Sequence, residues 1–329
     1  MTIHTRVRAL PARLLASLFV AAILALGSAA FAQSDATTSD KVVIRLGSRE
    51  ERASEIDWRF GVTLRGVAAQ QGQPYSEVFE ASMWELLPYY IEQRVQEVAL
   101  AAEAQRRGIV PNLDELNATM DRIKAGLAEG QEFEAVVNAA GFPSEAALQG
   151  MIEEADVIKQ LLDAVHADAE ASVTDEEVHV RYLAERGRFS EPEQYCARHI
   201  LVSEEAVAQE LVAQLAGGAD FAALAAEYGT DATNTRGGDL GCFEVSRMVP
   251  EFANAVVAAP VGESVGPVAS QFGYHVVLVY DHTPARVRPF SEVKDEAREF
   301  AVALATNAAI DGIVNGAGVT VYPENLPTR

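Results

Sequence analysis

The chain has 329 residues, 49% hydrophobic and 22% charged, an ordinary globular composition with room for two domains. With 26 Lys and Arg against 48 Asp and Glu, the formal charge is −22, which argues against nucleic acid and anionic membrane surfaces as partners. At the N-terminus Arg6, Arg8 and Arg13 precede an apolar run from Leu14 to Leu26, and Ala30-Phe31-Ala32 follows. A basic region, an apolar stretch too short to span a bilayer and an A-x-A site predict a cleaved export signal over residues 1–32. It carries three arginines and no acid, so the mature charge is −22 − 3, near −25. No cysteine stands at that site, so a lipid anchor is not indicated, and no later segment is long and apolar enough to cross a membrane. The expected location is the periplasm or extracellular envelope space of a bacterium.

From Gln33 to Asp40 the chain is small and polar, a disordered leader by composition. Val42 to Leu46 reads as one strand. Ser54, with Asp57 three residues on, predicts a helix with Ile56, Phe60, Leu64 and Val67 on its buried stripe. A second helical region runs from about Ser76 to Arg107, broken near Pro88. Further helices are predicted at Asn112–Leu127, Glu132–Ala140 and Ser144 to about His166, each by apolar residues at helical spacing. Thr174-Asp175-Glu176-Glu177 is a capping box that opens the next, through Tyr182. These amphipathic helices need one another to bury their stripes.

The stretch from Tyr195 to Asp281 differs in pattern. Two apolar runs, Ala197 to Val202 and Tyr274 to Tyr280, each carry one histidine and read as buried strands. Between them lie a helix capped by Ser203, a helix capped by Asp220 and ended by Gly229, and a polar loop. A strand at Gly238–Phe243, a helical turn from Pro250 and a short strand near Gly266-Pro267-Val268 follow. The order β-α-α-β-α-β-β in about ninety residues is an α+β unit of single-domain size. Beyond it, Pro284 and Pro289 mark a linker, Ser291 caps a long helix broken at Gly316-Ala317-Gly318, and Val319 to Tyr322 reads as a last strand.

His199-Ile200-Leu201-Val202, Arg236-Gly237-Gly238-Asp239-Leu240-Gly241-Cys242-Phe243, Met248-Val249-Pro250-Glu251-Phe252 and Gly273-Tyr274-His275 stand in the order and spacing of the parvulin-type peptidyl-prolyl isomerases, which this stretch resembles. The helical segment is similar, in helix order, in Glu103 to Gly108 and in the Thr174 to Val178 run, to the N-terminal region of exported parvulin-containing chaperones. The resemblance implies an α+β fold, a parvulin domain with a four-stranded sheet and surrounding helices inserted in a mostly helical chaperone-like domain. The expected organisation is a signal at 1–32, a helical domain at 33–189 completed by a C-terminal helix and strand at 284–329, and the isomerase at 190–283.

Matched motif by motif, the resemblance assigns His199 and His275 as the paired histidines, Asp231 as their acidic companion, and Leu240, Met248 and Phe252 as the proline-ring pocket, with Phe243 and Phe272 nearby. Phe272 stands where other members have a small hydroxyl residue, which makes the site more apolar. In this fold the strands of Cys196 and Cys242 are neighbours, the compartment is oxidising and no third cysteine competes, so a bridge is expected, with two buried thiols as the alternative. Without the resemblance, each histidine reads as a hydrogen-bonded core residue, Asp231 as a turn residue and the pocket residues as core. His166, His179 and His282 read as surface or helix-end residues. Isomerising an X–Pro amide breaks no bond, so no metal or cofactor is expected. Ser203-Glu204-Glu205 follows the first strand where phosphate-directed members have a basic loop, which predicts no phosphate requirement. The expected function is isomerisation and chaperoning of unfolded or nascent exported polypeptides containing X-Pro. The alternative is a holdase whose parvulin domain only binds.

Overall fold

The computed structural model describes residues 40–128 and 130–328, and the expected signal at 1–32 lies outside them. In chain order the elements are β1 (Val42–Leu46), β2 (Arg49–Arg52), α1 (Ala53–Gln70), α2 (Glu77–Met83), α3 (Leu87–Arg106), α4 (Leu113–Ala125), α5 (Phe133–Ala139) and α6 (Glu145–Ser172). There follow α7 (Asp175–Ala184), β3 (Ser190–Glu191), β4 (Gln194–Val202), α8 (Glu205–Ala216), α9 (Phe221–Tyr228), β5 (Asp239–Phe243), α10 (Pro250–Ala258), β6 (Ser264–Ser270), β7 (Gly273–Thr283), β8 (Arg286–Val287), α11 (Phe290–Gly316) and β9 (Thr320–Val321). They divide into two compact units. One runs from Asp175 to Arg298 and is inserted in the other, which comprises the chain up to Thr174 and from Glu299 onward.

The outer unit joins the two ends of the described chain. β1 pairs antiparallel with β2 and also with β9, Ile44 opposite Val321. Val319, Val321 and Leu326 pack on a core of Val43, Ile44, Ile56, Phe60, Leu64 and Tyr90. Ile310 of α11 is buried with Leu100, Ala104, Leu161 and Val165 of α3 and α6.

Under this core lies a charged cluster. Arg94 of α3 is 1% exposed and grips Glu51 of β2 with both Nε and Nη2, at 2.9 and 2.6 Å. Glu154 of α6 accepts from Arg94 at 2.9 Å and from Arg59 of α1 at 3.2 Å. β2 was not legible in the sequence, because Arg49-Glu50-Glu51-Arg52 has no apolar alternation; these charge pairs hold it. Burial alone would push both carboxylates up, but the arginines around them hold Glu51 low and Glu154 at about 2.

Several helix ends differ from expectation. Arg52, not Ser54, precedes α1, and the Ser54 N–H is satisfied by Asp40 Oδ1 at 3.0 Å. α8 begins after Glu204 rather than Ser203. α6 continues to Ser172, past His166, because Ala169 keeps its apolar stripe buried. Asp220 caps α9 as expected, accepting from the Ala223 N–H at 2.7 Å.

The inserted unit is built on a four-stranded antiparallel sheet of order β5-β4-β7-β6. Ile200, Val202 and Val276 face α8 and α9 and pack on Leu211, Phe221 and Leu224. Tyr195, Ala197, Val277 and Val279 face the other way, with Phe243 and α10's Phe252 and Val256. The unit is wider than the expected 190–283 because α7 and the first turns of α11 pack on it. Phe290 meets His179 edge-on at 4.7 Å and Tyr182 at 5.4 Å, and Tyr182 Oη donates to the Arg288 carbonyl at 2.8 Å. A two-residue ribbon, Ser190–Glu191 with Arg286–Val287, also lies outside the expected pattern, being too short to show a period.

Candidate active site

Alternation along β4 and β7 decides which side chains meet. Leu201 lies opposite His275 and His199 opposite Val277, so both histidines point to the face that carries Phe252. Two glycines let neighbouring backbone approach. A Cβ on Gly238, at φ +75°, would lie 2.2 Å from the His199 carbonyl oxygen, and one on Gly273 would lie 2.5 Å from that of Val202.

The two rings are buried, at 7% and 4% exposure, and lie nearly parallel with 5.4 Å between centroids. Their Nδ1 atoms are 3.1 Å apart. His199 Nε2 is 3.1 Å from Asp231 Oδ2, and His275 Nε2 is 2.7 Å from Ser270 Oγ. One assignment of protons satisfies every contact with both rings neutral. Ser270 Oγ donates to His275 Nε2, His275 Nδ1 donates to His199 Nδ1, and His199 Nε2 donates to Asp231, which as a carboxylate only accepts. Ser270 Oγ accepts in turn from the Phe272 N–H at 3.1 Å, and Thr233 Oγ1 donates to Asp231 at 3.0 Å. Burial first, and the neighbouring His199 second, push the His275 pKa down to about 4, so the ring is neutral at pH 7. Burial works to raise the Asp231 carboxyl, but the Thr233 hydroxyl and His199 hold it below its ordinary value.

Phe252 presents its ring edge-on to both histidines, 5.6 Å from His199 and 5.2 Å from His275. Leu240, Met248 and Phe243 belong to the same apolar cluster. The result is an apolar surface beside a polar floor of four linked groups. Such a site suits a small apolar ring and an amide whose polarity changes as it twists.

Phe272 does not join this cluster. It occupies the turn between β6 and β7 and is 62% exposed, because a two-residue hairpin loop has no layer above it to bury a side chain. Ser270, two residues earlier, places a hydroxyl on His275 Nε2 instead. Ser270 and Thr233 were both missed. Thr233 had a local signal, an Asp two residues before it; Ser270 had none, since its link to His275 crosses between strands.

Cys196 and Cys242 stand directly opposite each other on β4 and β5 and are joined by a disulfide. His282 stacks on Tyr195 with 4.2 Å between centroids and pairs with Glu193 at 2.8 Å, and His166 contacts Thr306 in the outer unit.

Fold and site together define a parvulin-type peptidyl-prolyl isomerase domain, and the PPIC-type PPIase domain family matches residues 181–283. The chain is 38% identical over 176 residues to the foldase protein PrsA of Caldanaerobacter subterraneus subsp. tengcongensis, covering 51% of this chain and 56% of that protein. It is 33% identical over 202 residues to foldase protein PrsA of Geobacillus kaustophilus, covering 60% of this chain and 70% of that one. Against chaperone SurA of Chromobacterium violaceum it is 32% identical over 194 residues, covering 53% of this chain and 45% of the relative. The chain thus spans little more than half the length of the first of these relatives and under half of the third. It belongs to the PrsA-like family of foldases that carry a PPIC-type isomerase domain. No described helix is long and apolar enough to cross a membrane.

Proposed function

We propose that this protein isomerises X–Pro bonds in unfolded exported polypeptides and holds those chains through its helical unit. The observation that carries the reading is the linked chain Ser270–His275–His199–Asp231 beneath the edge-on ring of Phe252. Rotating an X–Pro amide crosses a barrier of about 18–20 kcal/mol, because conjugation is lost in the twisted state. No bond breaks, so neither nucleophile nor metal is needed. Leu240, Phe243, Met248 and Phe252 hold the proline ring away from water. The histidine pair, fixed by Asp231 and Ser270, sets the field at the carbonyl as the amide twists, an interaction stronger in the transition state than in the ground state. Asp231 orients His199 and does not act as a nucleophile.

Export rests on the leader sequence at residues 1–32, and the relatives named PrsA and SurA support a chaperone in the same reading. Phosphate is not required, because exposed Glu204 and Glu205 follow β4 and would repel it. The inserted unit, Asp175–Arg298, interrupts in sequence a helical unit formed by the chain before and after it, so holding and isomerisation fall to separate units. A peptide exchange assay on the wild type and His275→Ala tests the activity. Loss of exchange in the folded variant is expected, and an unchanged rate would remove the histidine pair from the mechanism. Equal turnover of serine-proline and phosphoserine-proline peptides is also expected, and a strong preference for the latter would exclude the phosphate-independent reading.

A second reading, a holdase with a silent parvulin domain, draws on the outer unit. Val78, Leu86 and Tyr89 are 80, 45 and 50% exposed around α2 and the start of α3, an apolar surface with no use in isomerisation. Protection of an aggregating client by a protein inactive on every proline peptide would favour it.

A further inference from the structure

We propose that the Cys196–Cys242 bridge is a positioning element of the isomerase site, holding the edge strand β5 in the one register that keeps Leu240 and Phe243 together in the pocket. The inference rests on the isomerase reading above.

Leu240 and Phe243 are three residues apart, and on a regular strand residues three apart point to opposite faces. Here both belong to the cluster with Met248 and Phe252. The register shows how. Ala197 lies opposite Gly241 and Arg198 opposite Asp239, so Leu240 is an extra residue in β5 with no partner on β4. This is a β-bulge, which re-aims a side chain at the cost of a ladder bond, and Gly241 takes the left-handed conformation it needs, at φ +68°.

A bulge in a five-residue edge strand is weakly held. β5 is bonded to β4 alone, and its other edge has no neighbour in the sheet. If the bulge were to slide or close, one of the two pocket residues would turn to the opposite face. The structure ties the bulge on both sides. Before it, Asp239 Oδ1 accepts from the Gly241 N–H at 2.9 Å and from Tyr280 Oη at 3.1 Å. After it stands the Cys196–Cys242 bond, next to Phe243. Before the bulge the His199 N–H also donates to the carbonyl of buried Gly238 at 2.8 Å, so backbone fixes that side, and the covalent tie fixes the side that carries Phe243.

The bridge can also be opened from solvent, because Cys242 is exposed while Cys196 is buried. A dithiol reductant attacks Cys242 Sγ as a thiolate, and Cys196 Sγ leaves and takes a proton. The second thiol of the reductant then attacks the mixed disulfide and releases Cys242. Two electrons and two protons pass to the protein, and the dithiol becomes a cyclic disulfide.

The test compares the oxidised protein with the same protein reduced by dithiothreitol, and with the Cys196→Ala/Cys242→Ala double variant. Reduction should lower kcat/KM for a proline peptide by about tenfold or more, as misplaced contacts do. The loss should fall on KM, because the pocket grips ring and transition state alike, and reoxidation should restore it. The double variant should show the lower value with or without reductant. Amide exchange should lose protection at residues 239–243 while β4 and β7 keep theirs. An unchanged kcat/KM on reduction overturns the proposal, as does loss of protection across the whole sheet, which would make the bridge a general staple. An oxidised protein inactive on every peptide would instead overturn the isomerase reading, and this inference with it.

Discussion

His275 and His199 share a single proton between their Nδ1 atoms across 3.1 Å, and each spends its other nitrogen on a different partner, Ser270 or Asp231. The chain is directional, since the carboxylate at one end only accepts and the hydroxyl at the other donates inward. Burial and the neighbouring His199 push the His275 pKa down to about 4, which keeps its ring neutral at pH 7.

That gives a pH dependence with a definite sign. The folded pKa of His275 is pushed down to about 4, while an unfolded histidine titrates near 6.5. Between those values the unfolded state binds more protons. The contribution of the neutral ring is thus full above about pH 6.5 and is lost as pH falls toward 4. Urea midpoints measured across this range should fall with pH in the wild type, and the fall should be shallower in His275→Gln. Turnover of the folded protein should hold through most of this range and decline only as pH falls to about 4, where the folded ring takes up its proton.

Ser270→Ala removes the donor to His275 Nε2 and leaves that nitrogen buried without a partner. One such bond is worth about 1 kcal/mol, so kcat should fall by roughly fivefold. Ser270→Thr keeps the hydroxyl and should recover most of the rate. A peptide exchange assay at constant pH reads both, and Phe272→Ser, on the exposed turn, should change kcat far less.

In the pocket, Met248 is half-buried and Phe252 is 3% exposed. Met248→Ala should lower kcat/KM with a modest loss of stability. Phe252→Ala should do both, because deleting a buried phenyl ring costs about 3–5 kcal/mol. Chemical denaturation beside the kinetics separates the two effects. Full activity in folded Met248→Ala and Phe252→Ala would remove these residues from substrate binding.

Arg94→Met removes the cation shared by Glu51, Glu97 and Glu154, leaving Glu51 to Arg49, and Glu154 to Arg49 and Arg59. Breaking a buried pair by removing one partner costs about 3–5 kcal/mol, and here one arginine serves three acids. The outer unit should unfold at lower urea than in the wild type. Activity of the inserted unit on a short peptide, measured below that transition, should be retained.

Much of this molecule can be read along the chain. The period of the apolar residues placed the helices, and the β4 and β7 runs declared themselves by β-branched residues around a single histidine each. Because side chains alternate on a strand, that pattern already put His199 on the face of Ala197 and His275 on the face of Val277. Local chemistry also sufficed for the Asp220 cap and for the helical start at Pro250, where the donor and acceptor lie within a few residues. The limits are equally physical. β2 is four charged residues, and its place is set by Arg94 and Glu154, 43 and about a hundred positions away in sequence. Ser270 meets His275 across a hairpin, and Phe272 is exposed because nothing in the fold covers its turn. The bulge that turns Leu240 inward is a mismatch of two strands, a property neither strand has alone. Sequence period determines which face a residue takes within its own element. Only tertiary structure decides which partners face it there, because hydrogen bonds and ion pairs depend on distances that close when separate elements pack.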